Sequence, residues 1–538
     1  MKFDELLEEI GEFGPYQKRI YFLVCLTAIV GAYQAMSPVF FLEITNYRCK
    51  IPFLGNDTYA VQDDHHEQLI EMFIPKVGDS YSKCTLNDVH NNSSRGDGNN
   101  TQYTCDAWVY DKSVIQSSGP TDFNMVCENE ILRSHSNMID FAGAMVGALV
   151  CGRLGDMFGR KKVLIWTVVM NSVVNVAIAL TTDFVVFAVL NFMIGFTGMA
   201  MFMLTFVLAM EFVGPSRRTF AGVVVEYFWT VGLFLLTGLA YLIRQWRHLR
   251  LALGIPPILF VTYWWFIPES PRWLMSRGRT EEAKTIIQKI ATSNKATLSE
   301  TIMSDLSFEE DVQQTRLWRI FSSPVLLLRS AIVFFNWFAI NIVYYGLSLN
   351  VGNLSGDIYL NFFISSLMEL LGIILCHVLM NKVGRKTVLC SSMVLGGLTC
   401  ISSLFPLIYG NSSTGWILIA ITMAGKLGAT TAFTVIYIFS AELFPTTLRQ
   451  SAMGSCSLFE GVAGMVAPYI ADLGILTKGP LQEVLPLLVF GSLSIAAGMM
   501  AIMLPETRDK QIPETLADAI SFGKPSPRQD QYSEVQTN

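Results

Sequence analysis

The sequence predicts an all-α membrane protein in which twelve transmembrane helices form two six-helix bundles. Three observations predict this fold: the composition, a series of long apolar stretches, and an internal repeat. The 538 residues are 51% hydrophobic and 15% charged, and their mean hydropathy is +0.42. These values are too apolar for a soluble enzyme and are typical of a chain that crosses a membrane many times.

The repeat consists of three short motifs that each occur once in either half of the chain. The pairs are GRLGDMFGRKKV from Gly152 with NKVGRKTV from Asn381, EFVGPSRR from Glu211 with ELFPTTLR from Glu442, and PES from Pro268 with PET from Pro505. Because the three pairs keep one order and nearly one spacing, chance similarity is a poor explanation. The chain is therefore interpreted as a duplication, with six spans in each repeat.

Each candidate span is long enough to cross about 30 Å of hydrocarbon, which takes roughly 20 helical residues. A helix is expected in every case, because lipid offers no partner for unpaired backbone groups. The candidate spans lie at about 20–42, 137–157, 163–181, 184–210, 219–242 and 249–267 in the first half, and at about 326–348, 357–380, 387–409, 415–439, 448–473 and 484–504 in the second.

The segments outside the spans complete the predicted organisation. It comprises a cytoplasmic N-terminus (1–19), a first transmembrane helix (20–42), an extracellular loop (43–136), the rest of the N-terminal bundle (137–267), a cytoplasmic linker with short helices (268–325), the C-terminal bundle (326–504) and a cytoplasmic tail (505–538). Within the linker, an amphipathic helix is expected from Thr280 to Ile290. The tail after Arg508 has the composition of a disordered segment.

Basic residues in the short loops set the predicted orientation. They fall on one side of the membrane, which is therefore the cytoplasmic side; they are Arg153, Arg160, Lys161, Lys162, Arg217, Arg218, Lys382, Arg385, Lys386 and Arg449. Arg244, Arg247 and Arg250 break the pattern, and we interpret them as side chains that extend to the membrane surface. An even number of spans places both termini in the cytoplasm, and the plasma membrane is the expected location.

The polar loop at 43–136 has the marks of an extracellular segment. Its sequons predict N-glycosylation at Asn56, Asn91, Asn92 and Asn99. Further sequons at Asn353 and Asn411 fall in loops assigned to the same side. Four of the ten cysteines lie in this loop, and an oxidising compartment predicts two disulfide bonds among Cys49, Cys84, Cys105 and Cys127. Three connectivities satisfy that count, and the sequence does not choose among them.

The motifs together resemble those of a known family. GRLGDMFGRKK after the second span, EFVGPSRR after the fourth and PESPRWL after the sixth resemble the organic ion transporters of the major facilitator superfamily. The large cysteine-bearing loop and the opening GEFGPYQKRI are similar to its organic cation and carnitine branch. The resemblance implies the major facilitator fold, a central site open alternately to each side, and movement of small organic ions without ATP or any cofactor.

The residues themselves argue against two other classes of protein. No Gly-x-x-x-x-Gly-Lys-Ser/Thr phosphate loop occurs in the sequence, which disfavours an ATP-driven pump. The run His65-His66-Glu67 lacks the i, i+4 histidine pair of a zinc protease, so we interpret it as a solvated loop segment. The chain is predicted not to be an enzyme, and neither a metal nor a nucleic acid is expected as a partner.

Charged residues in the repeated motifs form the predicted gating network. A transporter must close its cytoplasmic side reversibly, and opposite charges in these loops can pair between the bundles in one state and separate in the other. The predicted members are Asp156, Arg160, Glu211, Arg217, Arg218 and Glu269 in the first half, and Arg385, Glu442, Arg449 and Glu506 in the second. The alternative is that these charges only fix topology and solvate the surface.

Ionisable residues at membrane depth are rarer, because charge inside a span is costly and usually faces a cavity or a partner. Glu460 lies about halfway along the eleventh span, on one face with the small residues Cys456, Ala463, Gly464 and Ala467. It is the leading candidate to bind a cation, and the family resembled here tends to be acidic at this position in its cation transporters. An ion pair with Lys426 and a protonated packing group are the alternatives.

Three further ionisable residues lie in spans. Glu369 in the eighth span and Lys426 in the tenth are expected to form a structural or gating pair, with substrate contact as the lesser alternative. Glu226 in the fifth span shares a face with Thr230 and is a second candidate to bind a cation. Asp140, near the outer end of the second span, is expected to face a vestibule or solvent.

Aromatic side chains are candidates for holding a bulky organic cation, because each ring face attracts it by about 0.5–2 kcal/mol. The candidates are Trp337 and Tyr344 in the seventh span and Phe433 and Tyr437 in the tenth. The family resemblance favours Tyr344 among them. Packing between helices is the alternative for all four.

Together these observations predict a plasma-membrane transporter of small organic cations that works by alternating access and is driven by the membrane potential. A sodium-coupled or uncoupled carrier of carnitine-like or amine zwitterions is the alternative within transport. A membrane receptor that binds an amine without moving it is the alternative from another class. The expected partners are the small organic cation and the lipid bilayer, and the sequence does not set the oligomeric state.

Overall fold

The structure is a computed structural model that describes residues 3–77, 80–88, 102–296, 323–409, 415–476, 482, 484–508, 510, 513 and 516–523. The predicted glycosylation sites Asn91, Asn92 and Asn99 and the sequon at Asn411 lie outside the described residues, as do most of the linker after 296 and the end of the tail. The described residues of each half pack mainly with one another.

Six spans come from each half of the described chain. In the first half they are span 1 (Pro15–Met36, followed by the short helix Pro38–Phe41), span 2 (Ile131–Phe158), span 3 (Arg160–Leu180), span 4 (Phe184–Glu211), span 5 (Arg218–Leu242) and span 6 (the helix Trp246–Gly254, the 3₁₀ segment Pro256–Thr262 and the helix Tyr263–Phe266). In the second half they are span 7 (Pro324–Leu349), span 8 (Ile358–Lys382), span 9 (Arg385–Ile401), span 10 (Gly415–Leu443), span 11 (Thr446–Ala471) and span 12 (Leu485–Ala501).

Within the described residues, ten of these helices are long and apolar enough to cross a membrane. Span 12 is a shorter apolar helix of 17 residues. Span 11 has 26 residues but is rich in small and polar side chains and carries Glu460. The described membrane part is helical, as predicted; span 12 falls outside the ten because it is short, and span 11 because it is more polar.

Helix boundaries differ from the predicted ones where polar residues continue a span. Span 2 begins at Ile131 rather than near 137, because Arg133, Ser134 and Ser136 lie buried in the helix instead of in the loop. Span 1 begins at Pro15, within the segment assigned to the cytoplasmic N-terminus. Hydropathy detects only the apolar part of a helix, so these polar turns escape it.

Part of the tail is helical rather than disordered. The short helix Leu516–Ser521 packs its apolar residues against Leu326 and Leu448. The guanidinium of Arg329 donates to the carbonyl oxygens of Ala519 and Phe522, at 2.7 and 2.8 Å. Composition alone missed this helix because its few apolar residues are stabilised by contacts far away in the sequence.

Three short helices at the end of the bundles predicted to be cytoplasmic pack together: Phe3–Ile10, Pro271–Ser276 and Thr280–Asn294. The last of them contains the predicted amphipathic helix, and its apolar residues join the N-terminal helix in one buried cluster. Asn294 donates to the carbonyl of Ile10 at 3.0 Å and to the side chain of Gln17 at 2.8 Å. The N-terminal segment is thereby fastened to the linker.

Glycines permit the closest contacts between spans. On span 2, Gly143 and Gly147 face the backbone of span 4 so closely that a Cβ on either would overlap Phe192 or Phe196. Gly397 of span 9 faces the backbone of span 12 in the same way. Lipid provides no hydrophobic force between helices, so small residues that let backbones approach stabilise each half by close packing.

The two halves meet along spans 2 and 11 and along spans 5 and 8. Between spans 2 and 11, Phe141 packs against the backbone of Gly464. Between spans 5 and 8, the rings of Tyr241 and Tyr359 lie 5.6 Å apart. These contacts enclose the candidate binding residues between the bundles.

The described residues of the loop predicted to be extracellular contain three antiparallel strand pairs and two short α-helices. β1 (Tyr47–Cys49) pairs with β6 (Trp108–Tyr110), β2 (Lys76–Val77) with β3 (Ser80–Tyr81), and β4 (Thr85–Asn87) with β5 (Gln102–Thr104). The helices are Asp64–Phe73 and Gly119–Phe123. The all-α description therefore holds for the membrane part only, because strands of two or three residues are too short to show an alternating pattern in the sequence.

A buried ion-pair cluster stabilises the loop. Asp57 Oδ1 lies 2.6 Å from Arg48 Nη2 and 3.0 Å from His66 Nε2, and Asp57 Oδ2 accepts from the N–H of Ile51 at 2.7 Å. Burial raises the pKa of Asp57, but the hydrogen bonds from Arg48, Ile51 and His66 outweigh it and hold the pKa below its usual range. His66 is thus buried on a helix and not part of a solvated loop, whereas the neighbouring Asn56 is exposed, as a glycan acceptor must be.

The four loop cysteines form two disulfides, Cys49 with Cys105 and Cys84 with Cys127. One of the three open connectivities is thereby selected. Strand pairing does not decide the choice, because β4 and β5 bring Cys84 beside Cys105 as well, while Cys127 lies in a 3₁₀ turn outside the strands. The other six cysteines are free, and five of them are buried.

This pairing predicts which thiol each substitution exposes. Cys49→Ser should free Cys105 alone, and the double variant Cys49→Ser with Cys105→Ser should leave no new external thiol. Each lost disulfide should lower loop stability by about 2–5 kcal/mol and reduce surface expression. The measurement is labelling of intact cells with a membrane-impermeant maleimide, followed by peptide mapping. Labelling of Cys84 or Cys127 in the Cys49→Ser variant would contradict the pairing.

Candidate functional site

Three polar side chains meet in the second half between spans 7, 8 and 10. Tyr344 donates its hydroxyl to Glu369 Oε1 at 2.7 Å, and Lys426 Nζ lies 3.0 Å from Glu369 Oε2. All three side chains are buried. The ion pair leaves neither Glu369 nor Lys426 as an isolated charge inside the bundle, which is the arrangement that a low-dielectric environment requires.

Lys426 also occupies an aromatic face. Its Nζ lies 3.6 Å from the centre of the Tyr344 ring and 2.5 Å from Ser348 Oγ. An ammonium group over a ring is attracted by the negative potential of the ring face. In this conformation the protein's own cation makes the contact with Tyr344 that the sequence suggested for an organic cation.

The four candidate aromatic residues form one continuous series. The rings of Tyr344 and Phe433 are stacked at 4.5 Å, Phe433 lies 5.4 Å from Tyr437, and Trp337 meets Tyr437 edge-on at 4.4 Å. Trp337 is fully buried, and its Nε1 donates to Ser440 at 2.9 Å. Phe433 and Tyr437 are only partly buried, so Trp337 packs behind Tyr437 while the other two keep exposed ring surface.

Glu460 of span 11 lies at the far end of this series. The hydroxyl of Tyr437 donates to Glu460 Oε2 at 3.0 Å, and the glutamate is buried. Among the described residues no base pairs with it, because Lys426 is engaged by Glu369. The alternative pair of Glu460 with Lys426 is thus absent from this conformation, and the carboxylate has a phenol as its partner.

Glu226 of span 5 brings a third carboxylate from the other half. It is partly buried and lies within electrostatic range of both Glu369 and Glu460. Within the described part of the chain its carboxylate has no hydrogen bond or ion pair, and Thr230 donates to its backbone carbonyl at 3.1 Å instead. The centre therefore holds three carboxylates and the single ammonium of Lys426.

The small residues of span 11 are used for helix packing. Ala463 and Ala467 are fully buried, and a Cβ on Gly464 would overlap the ring of Phe141 on span 2. In this conformation these small residues are therefore in contact with neighbouring helices. Small residues also occur where helices in lipid approach most closely, so a small side chain does not by itself distinguish ligand binding from helix packing.

Two buried charges in the first half occupy other places than the sequence suggested. Asp140 is buried rather than facing solvent, and Arg250 is buried rather than extended to the membrane surface. Arg250 donates to Asn175 at 3.4 Å and to Asn191 at 3.3 Å, and its guanidinium lies 3.8 Å from the centre of the Phe41 ring. The asparagines of spans 3 and 4 and the opposite charge of the nearby Asp140 make this burial tolerable, and only the packing of the helices shows these neighbours.

The repeated motifs build the same cluster of charged side chains in both halves, at the end of the bundles predicted to be cytoplasmic. In the first half, Arg160 lies 3.1 Å from Glu211 and 2.9 Å from Asp156. In the second half, Arg385 lies 3.2 Å from Glu442. The duplicated sequence thus gives a duplicated ion pair between the start of a span and the end of the next span.

A carboxylate also caps one span in each cluster. Glu269 accepts from the backbone N–H of Lys161 at 3.0 Å, and Glu506 accepts from those of Arg385 and Lys386 at 2.9 and 3.1 Å. Negative charge at a helix N-terminus is stabilised by the unpaired N–H groups and the helix dipole. The preceding glycines, Gly159 and Gly384, have φ of +108° and +111°, and a Cβ on either would overlap the capping carboxylate.

The predicted gating network has no ion pair between the halves in the described residues of this conformation. Arg160 and Arg385 pair within their own halves, Arg449 lies near Glu442, and Arg217 is exposed. Arg218 donates to the carbonyl of Val213 at 3.2 Å. The network holds each half together here, and its role between the halves stays a prediction.

Polar contacts between the halves lie at the start of span 2 and the end of span 11, the end of the bundles that carries the loop at 43–136. Arg133 of span 2 lies 3.6 Å from Asp472 and donates to Asn353 at 3.1 Å, and Ser134 donates to Asp472 at 2.7 Å. Asn353 also donates to the carbonyl of Ala471 at 3.1 Å. The sequon at Asn353 is therefore engaged in these contacts between the halves, here called the outer closure, which lie at the end of the bundles predicted to be extracellular.

The sequence is similar to known transporters. Residues 98–515 match the model of the sugar (and other) transporter family. The chain is 35% identical to the organic cation transporter protein of Drosophila melanogaster, over 98% of this chain and 96% of that protein. It is 32% identical to the organic cation/carnitine transporter 2 of Homo sapiens (96% and 93%), and 32% identical to solute carrier family 22 member 4 of Mus musculus (96% and 94%).

Solved structures of the xylose transporter XylE from E. coli share the fold. The partially occluded inward-open conformation of XylE aligns with a TM-score of 0.61, over 92% of this chain and 99% of that chain. The sequence identity is 16%, so this likeness shows the major facilitator fold alone.

The cytoplasmic clusters predict a rescue by charge exchange. Arg160→Glu places a new carboxylate beside Asp156 and Glu211 and should lower the free energy of unfolding by about 2–4 kcal/mol. Arg160→Glu with Glu211→Arg should recover much of that loss, because the pair lies within one half. Thermal unfolding of the purified protein measures this, with the exposed Arg153→Glu as matched control. Equal losses in the single and exchanged variants would contradict the pairing.

The buried pair between Glu369 and Lys426 predicts a second rescue. Glu369→Gln leaves Lys426 unpaired inside the membrane and should lower the free energy of unfolding by about 3–5 kcal/mol. The loss should appear as reduced expression and lower thermal stability. Adding Lys426→Gln should restore most of it, whereas Lys426→Gln should not improve a Glu460→Gln variant. Rescue of Glu460→Gln by Lys426→Gln would instead assign the lysine to Glu460.

Proposed function

Since this chain belongs to the organic cation transporter family of the major facilitator superfamily, we propose that it carries small organic cations across the plasma membrane. The matching proteins are transporters, and the chain is a multi-pass membrane transporter rather than an enzyme. We further propose the sign of the substrate's charge, the driving force of transport and the residues that bind the substrate.

The observation that carries the proposal is the excess of carboxylates at the centre. Glu369 is balanced by Lys426 at 3.0 Å, whereas Glu460 has a phenol as its partner and Glu226 has no partner among the described residues. Two unit charges about 4 Å apart interact by roughly 4 kcal/mol at the effective dielectric constant of a protein surface, and more strongly where water is excluded. A cation between Glu226 and Glu460 offsets the excess, and an anion adds to it.

Aromatic surface supports an organic rather than an inorganic cation. Phe433 and Tyr437 have partly exposed rings beside Glu460, and each suits a bulky ammonium that hydrogen-bonds poorly. Tyr344 completes the binding set when Lys426 moves off its ring, and Trp337 holds Tyr437 in place. We assign substrate binding to Glu460, Glu226, Tyr344, Phe433 and Tyr437, with Trp337 as a positioning residue.

The proposed mechanism is alternating access driven by the membrane potential, with both termini in the cytoplasm. The outer closure opens to admit the cation, the halves move as bodies about the central site, and the cation leaves on the inner side. At roughly 2.3 kcal/mol per charge per 100 mV, a potential of about 60 mV supplies about 1.4 kcal/mol, which is a tenfold accumulation. No ATP is required.

Transport of carnitine-like zwitterions is the second candidate function. Lys426 lies beside the proposed cation site and offers an ammonium to a substrate carboxylate if Glu369 releases it. The similarity to a protein named organic cation/carnitine transporter 2 supports the same idea. Uptake of carnitine and of tetraethylammonium, each with and without external sodium, separates the two.

The proposal predicts that Glu460 decides substrate charge. Glu460→Gln should reduce initial tetraethylammonium uptake about tenfold or more, because it removes a charge that attracts the cation in a dry site. Glu460→Asp should retain most of it, and Glu226→Gln should cause a smaller loss. Uptake per molecule at the cell surface measures this, and depolarising the cells with high potassium should lower uptake by the unmodified protein.

The matched control is Glu281→Gln, which removes an exposed carboxylate in the cytoplasmic linker. It should leave uptake unchanged. If Glu460→Gln reached the surface normally and transported tetraethylammonium as well as the unmodified protein did, the cation site would not be where we place it.

A further inference from the structure

A second polar cavity lies on the extracellular side, beside the outer closure. Its volume is about 460 Å³, and its walls come from three parts of the chain. In the first half, Glu43 and Thr45 follow span 1, Lys83 belongs to the external loop, and Arg133 lies in the first turn of span 2. In the second half, Asn350 directly follows span 7. Both halves and the disulfide-bonded loop therefore contribute to one cavity.

Three buried polar atoms at this cavity have no hydrogen-bond partner among the described residues. They are Glu43 Oε2, Thr45 Oγ1 and Arg133 Nε. A buried polar group without a hydrogen bond destabilises the protein by about 1–3 kcal/mol. A molecule that donates to the unpaired acceptor and accepts from the unpaired donor would remove this cost, so its binding is favourable. The orphaned atoms include a carboxylate oxygen, which calls for a donor, and a guanidinium N–H, which calls for an acceptor.

The charges that line the cavity have both signs. Glu43 and Asp111 are acidic, whereas Lys83 and Arg133 are basic. A simple cation or a simple anion meets like charge on one wall, but a molecule with both an ammonium and a carboxylate can face opposite charge on each. We propose that this cavity binds a small zwitterion, which bridges the two halves and holds the outer side closed.

The position of the cavity gives the expected consequence for transport. Arg133 lies in the cavity wall and also joins the closure through Asp472 and Asn353. Opening to the outside separates these residues, so the zwitterion binds the closed state only. By linkage, a ligand that binds one state alone shifts the population toward it and reduces uptake without competing at the central site.

The charge state of Glu43 gives a pH readout. Burial raises the pKa of Glu43 to about 7, with Arg133 acting to lower it and Asp472 acting to raise it. The other charged groups that face the cavity are Lys83, Asp111 and Glu130. A ligand ammonium requires the ionised carboxylate, so binding should be stronger at pH 8 than at pH 6.

The test uses 4-aminobutyrate as the probe, with butylamine and butyrate as single-charge controls. Thermal unfolding of the purified full-length protein at pH 8 should shift upward by about 2–4 °C with millimolar 4-aminobutyrate, and less at pH 6. Neither control molecule should shift it. Glu43→Gln and Thr45→Val should each abolish the shift, whereas Glu71→Gln, on the exposed surface of the loop, should preserve it.

Uptake of tetraethylammonium supplies the second readout. External 4-aminobutyrate should lower the maximal rate of uptake without the rise in KM that a competitor at the central site would cause, and Glu43→Gln should relieve this inhibition. A thermal shift that persists in both Glu43→Gln and Thr45→Val, or that butylamine and butyrate reproduce, would overturn the inference and leave the cavity as a hydrated vestibule. The thermal shift does not depend on cation transport, so a protein that showed the shift but moved no tetraethylammonium would refute the proposed function alone.

Discussion

The cost of charge inside a membrane is the constraint on which the rest of this structure depends. Every charged side chain at membrane depth needs a partner, a wet cavity or a ligand. Lys426 meets this need with Glu369, and Arg250 meets it with the amides of Asn175 and Asn191. Glu226 and Glu460 have no base as partner among the described residues. The proposed central site therefore holds more acidic than basic side chains, and the cationic substrate that we propose would balance their charge.

A second constraint is that each half must move without losing its shape. The duplicated motifs stabilise both halves with the same contacts. Arg160 and Arg385 each form an ion pair with the end of a neighbouring span. Glu269 and Glu506 cap the first turns of spans 3 and 9. These bonds do not cross between the halves, so they do not oppose relative motion. The polar contacts at Arg133 do cross, and they are few enough to be exchanged for water when the outer side opens.

How much the sequence predicts depends on the range of the interaction concerned. Spans and motif turns are local, so the helical membrane part and the repeated motifs were predictable from composition, length and spacing. The cysteine pairing and the partner of Glu460 depend on which elements meet in space, and several alternatives stayed open. The contact of Gly464 with Phe141 was not predictable, because a small residue is the same signal for a ligand and for a neighbouring helix. Arg250 was misplaced because hydropathy does not reveal that Asn175 and Asn191 lie beside it.

The outer closure and the central site belong to the same pair of helices. Span 11 carries Glu460 and is followed directly by Asp472, about 18 Å further along at 1.5 Å per residue. Span 2 begins near Arg133, which meets Asp472, and packs through Phe141 against Gly464. Pro468 interrupts the backbone hydrogen bonds of span 11 between Glu460 and Asp472. A tilt of span 11 as a whole that separates Arg133 from Asp472 would also shift Glu460 relative to Glu226 on the opposite half. A cation that both carboxylates attract resists that shift, so its binding at the centre favours the state in which the outer side is closed.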